Sequence, residues 1–159
     1  MSEFDEYIKK ILDQGAHEAR TDGSATIEAH HLLLAIAAER ETVPHQVLVS
    51  VGLDRQAIRE ALDREFEHSL SAAGVSLAAF HLPKPSSPPK LPSPGASTKL
   101  ALERGFASAA RKKDIRPAHL LLGILQAQVG TVPRALALAG VDKAELMARL
   151  LRTLPGTGK

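Results

Sequence analysis

The 159-residue sequence contains no cysteine and no tryptophan, and aromatic residues make up only 3% of it. Without cysteine the chain can form no disulfide, no thiolate metal site and no cysteine nucleophile. Binding of single-stranded nucleic acid needs several exposed rings, so this composition argues against that class. No apolar run approaches the roughly 18 residues that cross a membrane, and the acidic N-terminus is atypical of a signal peptide. We therefore expect a cytoplasmic protein.

Charge is distributed unevenly along the chain. Residues 1–74 hold 14 acidic and 7 basic side chains, whereas residues 75–159 hold 4 acidic and 13 basic ones. A basic half could bind DNA, but its densest cluster is only the segment RKKDIR at 111–116. Cations near a helix C-terminus interact favourably with its dipole, so a solvated helix end is the preferred interpretation. If the two halves pack together, their opposite charges should attract each other.

The chain contains an internal repeat with a shift of about 88 residues. Three motifs recur in the same order: HLLL at 31–34 and 119–122, TVP at 42–44 and 131–133, and GLD at 52–54 with GVD at 140–142. Agreement across separated motifs in one order indicates a tandem duplication.

The first copy has the pattern of four helices. Ser2 followed by Asp5 is a capping-box start, and apolar residues then recur at helical spacing until Gly23. The later helices are expected to follow Thr26, Thr42 and Asp54. The last of them should direct four residues inward: Ile58, Ala61, Leu62 and Phe66. Its charged residues should form a solvated face: Glu60, Asp63, Arg64, Glu65 and Glu67.

The second copy repeats this order. Ser93 followed by Pro94 predicts an N-cap with proline at the first helical position, and Leu100 should face inward from that helix. The next helices are expected near Pro117, Thr131 and Asp142. The fold class predicted is therefore all-α, with two tandem four-helix repeats.

A proline-rich stretch, HLPKPSSPPKLPSP, separates the two copies and holds six of the ten prolines. We expect an extended connector, with a ligand for an SH3-like domain as the alternative. The predicted organisation is repeat 1 at 1–74, linker at 75–92, repeat 2 at 93–154 and a flexible tail at 155–159. Together they should form one compact domain.

These motifs resemble those of the Clp N-terminal domain family. The order I-x-x-x-H-L-L-L, V-P, G-[LV]-D appears twice, and LPSPGA at 91–96 is similar to the family's F-T-P-R-A entry to its second repeat. The resemblance covers nearly the whole chain and implies two four-helix repeats related by a pseudo-twofold axis. It also implies a non-catalytic module that receives substrates, adaptors or cyclic peptides for an ATPase ring. A chain of this kind could act as a receptor domain, an adaptor or a decoy.

The sequence departs from the ClpC members of that family at the positions that hold phosphoarginine. The family's guanidinium-binding Glu is replaced by His30 in one copy and Ala118 in the other. The family's phosphate-contacting Thr is replaced by Asp5 and Ser93. A carboxylate facing a phosphate would repel it, so we expect no phosphoarginine binding in the ClpC manner.

The candidate protein-binding or peptide-binding residues are Phe4, Asp5, Tyr7 and Ser93. They mark the start of the first helix and the matching entrance to the second repeat. For Phe4 a core position is an equally good interpretation. No catalytic, cofactor-binding or metal-binding residue is predicted, because no nucleophile, base and orienting group occur together. The alternative function is a helical regulator that binds DNA through the basic half.

The histidines have structural interpretations. His31 and His119 precede equivalent apolar triplets and are expected to be buried and bonded to backbone near a helix start. His30 and His31 are adjacent on a helix, so their rings should point about 100° apart and should not share a metal ion.

Overall fold

A computed structural model describes residues 2–74 and 91–154 of the chain. In the first range lie four α-helices: α1 (Glu3–Thr21), α2 (Ala29–Ala38), α3 (Val43–Ser50) and α4 (Arg55–Ala72). In the second range lie four more: α5 (Ala96–Ser108), α6 (Pro117–Leu125), α7 (Thr131–Leu138) and α8 (Lys143–Arg152). A 3-10 turn at Lys112–Asp114 precedes α6. The all-α prediction is confirmed, with four helices in each copy.

The predicted linker and tail fall largely outside this description. Of the linker, the structure describes only 91–92, and the tail at 155–159 lies outside the described residues. The division into repeats, linker and tail therefore stays a prediction. None of the helices within 2–74 and 91–154 has the length and apolar character needed to cross a membrane.

Several helices begin and end as their sequences predict. The Asp5 N–H donates to Ser2 Oγ at 3.1 Å, which forms half of the capping box at α1. The Ala57 N–H donates to the Asp54 carboxylate at 2.8 Å at the start of α4. After α3, Gly52 adopts φ +80°, a left-handed conformation that glycine reaches without a steric penalty.

The start of the second repeat differs from the prediction. Ser93–Pro94 forms a two-residue strand, β2, that pairs in parallel with β1 at Thr26–Ile27. Helix α5 begins only at Ala96, so the predicted N-cap at Ser93 is wrong. The N–H groups of Ser93 and Gly95 donate to backbone carbonyls of the first repeat instead, which holds this segment extended. For the same reason α2 begins three residues after Thr26, at Ala29.

Helices α2 and α6 form the centre of the core. All residues of α6 from Ala118 to Leu125 are buried, as are most of those of α2. Helix α5 approaches α6 very closely, because Gly123 of α6 has no side chain and leaves room for the backbone of α5. A Cβ added at Gly123 would lie 2.7 Å from the Gly105 nitrogen and still closer to the Ala101 carbonyl oxygen.

Three side chains differ from the prediction in how far they are exposed. Phe66 is 55% exposed and Leu100 is 46% exposed, so neither belongs to the core. Glu65 is buried rather than solvated, because Arg134 of the second repeat donates to its carboxylate at 2.9 Å. This ion pair joins the acidic half to the basic half.

Candidate protein-binding site

An open groove lies between the start of α1 and the segment that leads into α6. Its volume is about 650 Å³. It is lined by residues from both repeats: Ser2, Glu3, Phe4, Asp5, Phe106, Lys112, Lys113, Ile115, Arg116 and Pro117. We call it the Phe4 groove.

Two aromatic rings form the apolar part of the Phe4 groove. The ring centroids of Phe4 and Phe106 lie 6.0 Å apart with an interplanar angle of 73°, an edge-to-face arrangement that aromatic pairs favour. Phe4 is half-buried and Phe106 is 47% exposed. Phe4 therefore combines its two interpretations, since it packs on the domain and also lines the groove.

Sequence reasoning missed Phe106. The shift of 88 relates it to Glu18, which is buried and bonded to Arg55. The signal available in the sequence was an aromatic residue at a position where the other copy has a carboxylate. Because Phe106 needs no buried ionic partner, it can lie at the surface and contribute its ring to the groove.

The two sides of the Phe4 groove carry opposite charges. Glu3 and Asp5 lie on the α1 side, and Lys112, Lys113 and Arg116 lie on the other side. Hydrogen bonds from Ser2, and more weakly the charge of Lys112, lower the pKa of Asp5. Within 2–74 and 91–154, neither Lys112 nor Lys113 has an ion-pair partner.

The structure brings only two of the four predicted binding residues together. Phe4 and Asp5 both line the Phe4 groove, whereas Ser93 is exposed in β2 and does not. Tyr7 is only 8% exposed, so a partner cannot contact it in this conformation. Burial raises the pKa of Tyr7, and its hydroxyl has no hydrogen-bond partner among the described residues. Tyr7 is a core residue because α1 directs it inward, and its predicted surface role is corrected.

Outside the lining of the Phe4 groove, a group of polar contacts ties the two repeats together; we call it the clasp (residues 26–28 and 93–98). The Glu28 carboxylate accepts from the hydroxyls of Thr26 at 2.5 Å and Ser97 at 2.6 Å, and from the Ser97 N–H at 3.3 Å. The Thr98 hydroxyl donates to the Ile27 carbonyl at 2.6 Å. Burial opposes ionisation of Glu28, but the hydrogen bonds from Ser97 and Thr26 lower its pKa.

The paired histidines cap the two central helices. The Glu28 N–H donates to His31 Nδ1 at 2.9 Å, and the Arg116 N–H donates to His119 Nδ1 at 2.8 Å. Both rings are buried. The prediction of buried histidines bonded to backbone near a helix start is confirmed.

His30 and His31 do not diverge as predicted. Their ring centroids lie 4.1 Å apart, and together with Asp22 they form a cluster of possible metal ligands. Burial, and next the neighbouring His31, lower the pKa of His30 to about 4. The side chain is therefore neutral near pH 7.

The hydrogen bonds of this cluster nevertheless do not suit a metal ion. Because His31 Nδ1 accepts from the Glu28 N–H, the ring proton lies on Nε2, which donates to Asp22 Oδ2 at 3.1 Å. A metal at Nε2 would move that proton to Nδ1, where it would face the Glu28 N–H. Arg59 also lies 3.2 Å from the Asp22 carboxylate and would repel a cation. His31, Asp22 and Arg59 thus form a hydrogen-bonded network at the start of α2.

The geometry does not favour the alternative of DNA binding. A recognition helix must present exposed side chains to base edges. The helix after the basic segment 111–116 is α6, which is buried from Ala118 to Leu125. Three of the cations in that segment instead border the Phe4 groove.

The fold and the groove define the class of protein: an all-α domain, built by duplication, with an open groove on its surface. The model of the family "Clp repeat (R) N-terminal domain" matches residues 3–84, just over half of the chain. The chain belongs to this family. Membership of this family makes it a non-catalytic protein-interaction module of the Clp systems.

Known proteins are similar over nearly the whole chain. The chloroplastic chaperone protein ClpD2 of Oryza sativa subsp. japonica is 31% identical over an alignment of 159 residues. This alignment covers 96% of this chain and 15% of the relative. The chain thus spans about 15% of the length of that relative.

Two solved structures share the fold. The N-terminal domain of ClpD from Arabidopsis thaliana has a TM-score of 0.64 at 23% identity, covering 93% of this chain and 92% of that one. The N-terminal domain of Hsp104 from Candida albicans has a TM-score of 0.57 at 18% identity, covering 96% and 91%.

Proposed function

We propose that this domain receives segments of partner proteins for a Clp-type ATPase and that it binds them in the Phe4 groove. The observation that carries the proposal is the open groove with two aromatic rings between the repeats. Ligand sites are typically concave, largely apolar and supplied with a few polar groups. The Phe4–Phe106 pair supplies the apolar surface, and the charged side chains on the two sides of the groove orient the bound segment.

The partner is proposed to be a substrate protein, an adaptor or a cyclic peptide. The domain could serve as the receptor part of an ATPase, or as an adaptor or decoy that competes with such a part. A cytoplasmic location, and the absence of nucleic-acid and membrane partners, are part of the same proposal.

The ligand is not expected to be phosphoarginine held in the ClpC manner. Ala118 offers no carboxylate for a guanidinium and is only 2% exposed. His30 cannot replace the family's Glu either, because an imidazole side chain is neutral or cationic and never carries a negative charge. Asp5 adds a negative charge on the side of the groove where the family has a phosphate contact.

Titration with a fluorescently labelled, permanently unfolded protein tests the proposal; reduced and carboxymethylated lactalbumin is a suitable probe. Phe106→Ser removes half of the aromatic surface, and Leu91→Ser is the matched control because Leu91 is 76% exposed and lies outside the groove. We expect Phe106→Ser to weaken binding about tenfold, as loss of a central aromatic contact usually does. Leu91→Ser should leave the affinity unchanged.

Two results would contradict this function. The first is that the unaltered domain does not bind the probe at micromolar concentrations. The second is equal affinity for Phe106→Ser and the unaltered domain. A mobility-shift assay with duplex DNA at two salt concentrations tests the alternative, whose affinity should fall steeply with salt.

A further inference from the structure

Equivalent backbone carbonyls in the two repeats have different partners. In the first repeat, the Ala25 carbonyl accepts from the Ser93 N–H at 3.4 Å, and the Ile27 carbonyl accepts from the Gly95 N–H at 2.9 Å. These bonds form the parallel β1–β2 pair. The shift of 88 relates the two carbonyls to those of 113 and 115 in the second repeat.

In the second repeat, no strand among the residues that the structure describes pairs with these two carbonyls. Instead, the Arg116 guanidinium donates from Nη1 to the Lys113 carbonyl at 3.0 Å and to the Ile115 carbonyl at 3.2 Å. Arg116 is an exposed side chain and is the counterpart of Glu28. The Arg116 side chain therefore donates to the two carbonyls whose counterparts in the first repeat accept from the backbone N–H groups of Ser93 and Gly95.

The space beside this edge is the Phe4 groove. The counterparts of 93–95 are residues 5–7, which belong to α1 and use their N–H groups within that helix or its cap. The resulting gap is the cavity of about 650 Å³ whose lining includes Lys113, Ile115 and Arg116. Ile115 (φ −67°, ψ 130°) and Arg116 (φ −127°, ψ 162°) already have extended backbone, whereas the 3-10 turn at Lys112–Asp114 must open for Lys113 to extend as well.

We propose that residues 113–115 are a strand-pairing edge, to which an extended segment of a partner protein adds its backbone as Ser93–Gly95 does at the clasp. Addition of a strand to an exposed edge is a common mode of peptide recognition. Two N–H groups of the partner, two residues apart, replace the Arg116 guanidinium at the Lys113 and Ile115 carbonyls. This inference rests on the proposed function and specifies how the groove holds its ligand.

The side chains of the groove define the chemistry of that segment. The released Arg116 guanidinium, together with Lys112 and Lys113, favours a carboxylate, because charge-assisted hydrogen bonds are stronger than neutral ones. The Phe4 and Phe106 rings favour an apolar side chain. The occupant is therefore an extended segment in which Asp or Glu alternates with an apolar residue.

A short labelled peptide, acetyl-Gly-Leu-Glu-Leu-Glu-Gly amide, tests both parts of the inference by fluorescence anisotropy. The same peptide with Gln in place of Glu reports the charge preference. A series of peptides, each with one N-methylated amide at a different position, reports which peptide N–H groups pair with the backbone of the domain. We expect the Gln peptide to bind about fivefold more weakly, with the difference reduced by added salt. N-methylation should weaken binding about tenfold at alternate positions and little between them.

Variants of the domain assign these effects to the groove. Arg116→Ala and Lys112→Ala should each reduce the preference for Glu over Gln about twofold or more. Arg116→Ala should keep the sensitivity to N-methylation, since the two carbonyls remain. Lys99→Ala is the matched control, because Lys99 is an exposed cation outside the groove, and it should change neither property.

The outcomes separate this inference from the proposed function. If the Glu and Gln peptides bind equally and no N-methyl position matters, the strand-pairing edge is overturned while binding in the groove stands. If Phe106→Ser also leaves the binding of both peptides unchanged, the proposed function of the groove fails as well. A charge preference that Arg116→Ala and Lys112→Ala do not reduce overturns the role given to these cations.

Discussion

The edges that lead into α2 and α6 have the same sequence pattern but different surroundings. Each ends in a buried histidine that accepts a backbone N–H. The edge before α2 is covered by β2, whereas the edge before α6 is open to the Phe4 groove. The difference arises from the segment opposite, since α1 begins at Glu3 whereas its counterpart α5 begins only after Gly95.

Proline explains why the two entrance segments differ. Pro92 and Pro94 cannot donate backbone hydrogen bonds, and each disfavours helical backbone at the residue before it. Residues 92–95 therefore stay extended and pair with β1. Their counterparts at 4–7 contain no proline and form the first turns of α1. One duplicated architecture thus has a closed edge and an open one.

The charges at equivalent positions reinforce this difference. Glu28 reaches across to Ser97 at the start of α5, whereas its counterpart Arg116 folds back onto the carbonyls of its own segment. A carboxylate can accept N–H groups at a helix start and a guanidinium cannot. The sign of one side chain therefore distinguishes a joined edge from an open one.

The largest expected effect compares Gly123 in α6 with its counterpart in α2. Gly123, where α6 meets α5, corresponds to Ala35 in α2. Gly123→Ala should lower the free energy of unfolding by about 3 kcal/mol, because the added methyl group would meet the backbone of Ala101 and Gly105. The reverse change, Ala35→Gly, should cost only about 1 kcal/mol of helix propensity. Urea unfolding measures both, and a smaller loss for Gly123→Ala than for Ala35→Gly would contradict the close approach of α5 and α6.

The next effect concerns the closed and open edges themselves. Glu28→Ala should lower the free energy of unfolding by about 2 kcal/mol, because Thr26 and Ser97 lose their charged acceptor. Arg116→Ala, its counterpart, should change stability by less than about 0.5 kcal/mol, as is usual for an exposed side chain. Equal losses from the two variants in urea unfolding would show that the clasp does not distinguish the edges.

A third prediction concerns pH and the neutral His30, whose counterpart is Ala118. The folded pKa of His30 is lowered to about 4, whereas an unfolded histidine titrates near pH 6.5. The unfolded state therefore takes up the proton first, and stability should fall as pH decreases from about 6.5 to 4. The groups around His30 are His31, Asp22, Glu28 and Arg59.

The variant His30→Ala makes the first repeat like the second at this position. It should flatten the fall in stability between pH 6.5 and 4, measured by urea unfolding at several pH values. The buried His119, whose pKa is also lowered, keeps its contribution in both proteins. Parallel pH profiles for the variant and the unaltered domain would contradict the burial of a neutral His30.

The smallest expected effect concerns Tyr7, the counterpart of Gly95. Its hydroxyl is buried and has no hydrogen-bond partner in the part of the chain that the structure describes, so Tyr7→Phe should raise the free energy of unfolding by up to about 1 kcal/mol. Thermal unfolding would detect this as a higher midpoint temperature. A loss of comparable size would mean that the hydroxyl makes a bond that stabilises the fold.

Prediction from sequence succeeded where the deciding interactions are local. The start of α4 at Asp54 and the burial of His31 and His119 depend on residues within one turn of each helix. Prediction failed at Ser93, where the deciding hydrogen bonds come from residues 25–27 of the other repeat. It also failed for Tyr7, because helical spacing places several residues near the boundary of the core and only the packing of α1 decides which are covered.

The amino-acid sequence alone determined the duplication, the eight helices within 2–74 and 91–154 and the family resemblance, because recurring motifs, caps and apolar spacing act over a few residues. Only the tertiary structure decided that Phe106 joins Phe4, that Glu65 is paired rather than solvated, and that one edge is closed while its counterpart is open. Each of these depends on contacts between residues far apart in the chain. The distances between them are set by how the two repeats pack.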